Sequence, residues 1–235
     1  MVSVARCTDT ADLTTRVAER FVSVVSDLQA AGRTPRVVLT GGGAGIETLR
    51  KIASLAERID WENIHVFFGD ERNVPVSHPE SNEGQAREAL LDGVGIPEKR
   101  IHGYHLGELG MEEAVATYRQ LLAEHAPEGF DIHLLGMGPE GHINTLFPDT
   151  DAVRERDELV VAEYHSPKPP AERVTLTLPA VNSAERVWLL VSGAAKAEAA
   201  GHILRESDPV GWPAAGARGR QETVLYVTED AAAEL

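Results

Sequence analysis

A single cysteine, Cys7, among 235 residues rules out an intramolecular disulfide, so a packed core has to hold this chain folded. No basic segment followed by an apolar core opens the sequence, and no apolar run approaches the ~20 residues that a bilayer-spanning helix needs. Basic residues are in short supply: 22 Lys and Arg stand against 37 Asp and Glu, a formal net charge of -15. That balance repels nucleic acid and acidic membrane surfaces, and the expectation is a cytoplasmic protein with neither as a partner. Internal repeats and low-complexity tracts are missing, as are Cys/His metal spacing, a GxSxG turn and a Walker motif. Metal-assisted hydrolysis, serine hydrolysis and nucleotide phosphoryl transfer lose their usual markers, which leaves proton transfer by side chains.

What is present reads as an α/β protein. Hydrophobic residues make up 43% and charged residues 25%, ordinary globular usage, and 235 residues suffice for a single three-layer domain spanning 1–235. Short β-branched runs alternate with segments of helical spacing, the mark of stacked β-α-β units and a mostly parallel sheet. The pattern predicts a helix over 13–31, a strand over 36–40 and a helix through Ile46, Leu49, Ile52 and Leu55. A strand over 64–68 follows, then a long polar loop to Asn82 and a helix ending near Leu91. A helix over 111–125 precedes a strand over 130–135. Further strands are expected at 159–162, 173–178, 187–191 and 223–227, with a helix over 194–205.

Four groups of residues can carry chemistry. The run Thr40-Gly41-Gly42-Gly43-Ala44-Gly45 lies where a strand hands over to a helix, so its N–H groups either receive a phosphate or simply make a tight turn. Asp70-Glu71-Arg72 follows a buried strand, with Arg72 either a phosphate clamp or one half of a loop-capping ion pair. In Gly138-Pro139-Glu140-Gly141-His142, a carboxylate precedes a histidine by two residues just past a strand-end glycine turn. That spacing can orient His142 for proton transfer, although eight other histidines are present, so position and not identity carries the argument. Lys168, Arg173 and Lys196 lie beside glycine or proline turns. They either complete the local cation cluster that a phosphorylated ligand needs in so acidic a chain, or are solvated surface charges.

The stretches FFGDERNVP, FDIHLLGMGPEGHINTLFP and SPKPPAERVTLTLPAVN, in this order, resemble the 6-phosphogluconolactonase branch of the glucosamine-6-phosphate isomerase/6-phosphogluconolactonase family. The likeness runs through 39–49, 61–82, 130–148, 166–196 and 213–219. It implies a Rossmann-like three-layer fold with helices on both faces, acting without metal or organic cofactor as a monomer or weak homodimer. The implied reaction is hydrolysis of the small-molecule sugar-phosphate lactone 6-phospho-D-glucono-1,5-lactone to 6-phospho-D-gluconate, in the oxidative pentose phosphate pathway. By the same resemblance His142 is the acid/base and Glu140 orients it. Gly41, Gly42 and Gly43 hold the phosphate with Arg72 and Lys196, while Asp70, Lys168 and Arg173 belong to the substrate pocket. The chain departs from the family where Glu140 replaces the usual Asp, where Asn144 and Thr145 replace small residues, where Gly43 replaces a serine, and in lacking a tryptophan near Leu225.

Two alternatives accompany that implication. Glucosamine-6-phosphate deamination would use Asp70 as base, but Arg72 stands where that branch usually has tyrosine and Phe147 where it usually has glutamate. A non-catalytic sugar-phosphate sensor would keep the glycine turn and cations but gain nothing from His142.

Overall fold

Strands arise here where β-branched and aromatic residues run together without breakers, and each intervening helix lays an apolar stripe on the sheet. In α1, for example, Leu13, Val17, Phe21, Val25 and Leu28 are buried at helical spacing, and the Asp9 side chain caps the first turn by accepting from Asp12 N. The computed structural model describes residues 1–235. In chain order it contains β1 (Val2–Cys7), α1 (Thr10–Ala30), β2 (Arg36–Leu39), α2 (Gly42–Ala53), β3 (His65–Phe68), β4 (Asp70–Arg72), α3 (Asn82–Ala89), β5 (Ile101–His102) and α4 (Met111–His125). There follow β6 (Ile132–Gly136), α5 (Asp151–Arg154), β7 (Val160–Glu163), β8 (Arg173–Leu176), α6 (Leu178–Asn182), β9 (Arg186–Val191), α7 (Ala197–Leu204) and β10 (Glu222–Thr228).

Seven strands form one sheet in the order β1-β10-β9-β6-β2-β3-β5, and every adjacent pair is parallel. The central strands β6 and β9 are almost continuously buried, as expected of strands covered on both faces. From β2 the chain steps outward through β3 to β5; from β6 it steps the other way through β9 to β10. Right-handed crossovers then place α1, α2 and α3 on one face, where α1 packs on α2 and α2 on α3, and α4 and α7 on the other. The direction of winding reverses between β2 and β6. At such a reversal the loops leaving adjacent strands diverge and open a crevice outside the carboxyl ends. The glycine run after Leu39 and the histidine turn after Gly136 therefore emerge side by side, and Gly136 N donates to Thr40 Oγ1 at 3.0 Å.

A second, antiparallel sheet of order β4-β8-β7 stands beside the first. Here several sequence expectations shift. Residues 70–72 read as the start of a loop but form β4, because Asp70, Glu71 and Arg72 pair with Thr175, Val174 and Arg173. The strand expected over 173–178 stops at Leu176, and Leu178 opens α6 with proline in its first turn. The helix expected over 194–205 begins as a 3-10 turn, Ala194–Lys196, and becomes α-helical from Ala197. Strand β1 has no counterpart in the expectations: it is an edge strand with mostly partial or full exposure, so its apolar alternation is weak. No helix is long and apolar enough to cross a membrane.

Candidate active site

The crevice at the β2/β6 reversal is a cavity of about 290 Å³. Gly41, Gly42 and Gly43 line it at the start of α2, whose first turn has no acidic residue and no side-chain cap. The leading N–H groups of that helix thus remain available to an anion at the positive end of the dipole. Gly42 has φ +78°, a left-handed conformation that a side chain would strain. Asp70, Arg72, His142, Arg173 and Lys196 line the same cavity. Glu140 and Lys168 stand behind His142. All ten residues singled out in the sequence are therefore gathered around one crevice.

The histidine turn is built around Gly138. Gly138 N donates to His142 O and Gly141 N to Gly138 O, both at 3.0 Å, which folds the loop back on itself. A Cβ at Gly138 would lie 2.1 Å from His142 Nδ1 and 2.5 Å from Glu140 Oε2, so only glycine lets the two side chains meet there. His142 Nδ1 lies 3.2 Å from Glu140 Oε2. The approach is close but misaligned for a hydrogen bond, and neither atom has another partner. Contacts of this kind commonly tighten when substrate fills a site. Lys168 Nζ completes the chain at 2.7 Å from Glu140 Oε1.

Electrostatics follow from this arrangement. Burial by itself would raise the Glu140 carboxyl, but the Lys168 hydrogen bond and His142 outweigh it and hold the group at about 2. His142 is lowered by burial first and by the Lys168 charge second, with Glu140 opposing, so its neutral, basic form is favoured. Lys196 is likewise lowered by burial and by repulsion from Lys168. A crowded ammonium of this sort gains from a bound anion. Such an anion also offsets the unfavourable placement of a cation at the start of α7, against the helix dipole.

Arg173 is placed differently from a free pocket cation. It is 4% exposed, and its guanidinium donates to the carbonyls of Pro170, Lys168 and Pro169, pinning the proline loop that carries Lys168. Its Nη1 faces Asp70 Oδ2 at 4.0 Å. Glu71 turns away from the crevice: its carboxylate accepts from Arg72 N, Ser81 Oγ, Asn82 N and Glu83 N, and so caps α3. That cap delivers Asn82, whose side chain accepts from Arg72 and donates to Asp70 Oδ1 at 3.0 Å.

Asn82 and Phe147 were not among the residues expected at the site, and Asn144 was noted only as a departure. Asn82 contacts residues 10 and 12 positions away through a loop, which no local pattern signals. Asn144 lines the cavity in a left-handed conformation, φ 48°, which asparagine tolerates better than most residues. Phe147 is buried, and its ring lies 4.3 Å from that of His142 with 22° between the planes. Lys168 Nζ and Arg173 Cζ sit over the same ring at 5.7 and 5.9 Å. One aromatic ring thus supports three of the expected site groups.

Comparison with known proteins identifies the family. The family model described as glucosamine-6-phosphate isomerases/6-phosphogluconolactonase matches residues 8–226. A 6-phosphogluconolactonase of Mycobacterium leprae is 47% identical over 226 residues, 92% of each chain, and that of Mycobacterium tuberculosis is 48% identical over the same length and coverage. Among solved structures, a 6-phosphogluconolactonase from Thermotoga maritima matches with a TM-score of 0.88 at 28% identity, covering 97% of this chain and 100% of its own. The chain belongs to the glucosamine-6-phosphate isomerase/6-phosphogluconolactonase family.

Proposed function

We propose that this protein hydrolyses 6-phospho-D-glucono-1,5-lactone to 6-phospho-D-gluconate, as a step of the oxidative pentose phosphate pathway. The observation that carries the reading is the Lys168–Glu140–His142 chain set beside an uncapped helix N-terminus and the cations Arg72, Arg173 and Lys196 in one crevice. The phosphate sits on the N–H groups of Gly41 to Gly43 between Arg72 and Lys196, which offset the repulsion of a chain carrying -15. Asp70, held by Asn82 and by Thr145 Oγ1 at 2.6 Å, accepts from sugar hydroxyls.

In the reaction, Glu140 keeps the proton of His142 on Nδ1 and leaves Nε2 as the base. His142 takes a proton from water, and the oxygen adds to the lactone carbonyl. The tetrahedral intermediate collapses with cleavage of the bond to the ring oxygen, which takes the proton back from the imidazolium. The product acid then ionises. Arg173 Nη1, which makes no hydrogen bond and faces Asp70 at 4.0 Å, and the Lys168 ammonium are the cations that would meet the developing oxyanion; one good donor there is worth about 3 kcal/mol. Every group the cycle needs is a side chain or backbone amide, so no cofactor enters it. Phe147 against His142 supports hydrolysis over deamination, since a ring stands where the deaminase branch would place a carboxylate.

The same reading places the enzyme in the cytoplasm as a monomer or weak homodimer, with no nucleic-acid partner. The test is lactone hydrolysis measured against its spontaneous background, with ammonia release from glucosamine 6-phosphate assayed in parallel. Hydrolysis above background without ammonia supports the proposal. Ammonia release would replace it with the deaminase, and binding without either reaction would leave a sensor.

A further inference from the structure

Three histidines gather at the edge of the sheet opposite the crevice. His65 opens β3, whose other end leads to Asp70 and Arg72; His102 closes β5; His125 is the last residue of α4. One ring nitrogen from each lies within 4.8 Å of the other two. His65 Nδ1 and His102 Nε2 are 2.7 Å apart, and the His125 ring stacks on both, with centroids 5.1 and 4.6 Å away. Within 4 Å of the ring nitrogens the sole carboxylate oxygen is that of Glu124, exposed and 3.6 Å from His125 Nε2.

The hydrogen positions follow from Arg100. Its Nη1 lies 2.5 Å from His65 Nε2. A guanidinium only donates, so Nε2 accepts, and the His65 proton is on Nδ1, directed at His102 Nε2. Imidazole ligates a metal through the lone pair of a neutral ring nitrogen, and each of the three rings has a nitrogen turned toward the other two. Arg100 makes no ion pair, and its Nε is buried without a partner, so the bond to His65 Nε2 is the one hydrogen bond of the guanidinium.

We propose that His65, His102 and His125 bind one divalent transition-metal ion of the zinc, cobalt or nickel type, with water as fourth ligand. Imidazole suits these ions, and nitrogens ~2.0–2.1 Å from a tetrahedral zinc lie ~3.3 Å from one another. The trio reaches that spacing with movements of about an ångström, His65 and His102 separating and His125 rotating in. The metal takes the Nδ1 lone pair of His65, whose proton moves to Nε2. That proton faces the Arg100 donor, so Arg100 must withdraw. Arg100 is thus a competitor of the metal, and the ion ties β3, β5 and α4 together at a place remote from the reaction.

The experiment titrates untagged, metal-free protein with Co²⁺ and follows the visible bands of four-coordinate cobalt, with Zn²⁺ then added to displace it. One equivalent is expected to give the bands and a higher Tm, with lactone hydrolysis unchanged. His125→Ala, at a partly exposed helix end, is expected to weaken binding about tenfold or more, whereas Arg100→Gln, which offers His65 Nε2–H an acceptor, tightens it. Absence of the cobalt bands, or bands that neither substitution alters, would overturn the proposal and leave the trio as a hydrogen-bonded chain.

Discussion

Glu140 divides its carboxylate between two partners: Oε1 meets Lys168 Nζ at 2.7 Å, and Oε2 meets His142 Nδ1 at 3.2 Å. A shorter acid on the same backbone cannot span both contacts. Glu140→Asp is therefore expected to lose the Lys168 contact, lowering kcat with little change in KM, and Glu140→Gln to lower kcat further because a neutral amide does not hold the Nδ1 proton. Steady-state hydrolysis of the lactone, corrected for background, checks both; a KM effect with normal kcat would assign Glu140 to substrate binding instead.

His142→Ala removes the proposed base. Turnover is expected to fall by roughly 10²- to 10⁴-fold, while 6-phosphogluconate still binds through Gly41 to Gly43, Arg72 and Lys196. Calorimetric titration with 6-phosphogluconate measures the second half of that statement, and near-normal turnover in the variant would exclude a base role.

Lys168→Met has a defined sign in pH. The Lys168 charge lowers His142, so its removal raises the imidazole, and the base is neutral only at higher pH. The acid limb of the kcat/KM profile should move upward in pH. Glu140, held at about 2 against an ordinary 4.5, should rise as well. Its depressed value stabilises the fold above pH 4.5, and that stability is lost as pH falls toward 2. Unfolding by urea across pH 7 to 3 should therefore show a shallower acid loss in the variant.

Phe147→Leu keeps an apolar plug but removes the flat support beneath His142, Lys168 and Arg173. An aromatic contact of this type is worth about 0.5–1.5 kcal/mol, so kcat should drop by up to about tenfold. The fall should come with a changed acid limb, which a purely structural loss of packing would not produce, and far-UV circular dichroism verifies that the fold persists.

His133, fully buried on β6 with neither ring nitrogen partnered, is driven by burial from 6.5 to about 3. Its neutral form stabilises the fold above pH 6.5, and the contribution is lost as pH falls from 6.5 toward 3. Each proton so excluded adds a slope of about 1.4 kcal/mol per pH unit in that window. His133→Phe should flatten the pH dependence of unfolding by about one proton, with activity unchanged at neutral pH.

Much of this molecule was determined by local order along the chain. The alternation of β-branched runs with helical spacing was enough for a mostly parallel α/β sheet, because burial on both faces demands continuous apolar strands. The glycine turns after residues 39 and 136, and Glu140 two residues before His142, were likewise legible, since strand-end loops and short spacings are local properties. Tertiary structure alone decided the rest. Residues 70–72 became a strand only because β8 lies alongside, and edge strand β1 formed on β10 despite its weak pattern. Arg173, read as a pocket cation, turned most of its donors onto the proline loop. Asn82 reached Asp70, and Phe147 came to lie under His142, Lys168 and Arg173, through folding that no short window records. The chain supplies the reactive groups in local motifs. Their distances and charge states follow from the winding reversal between β2 and β6, which is a property of the whole sheet.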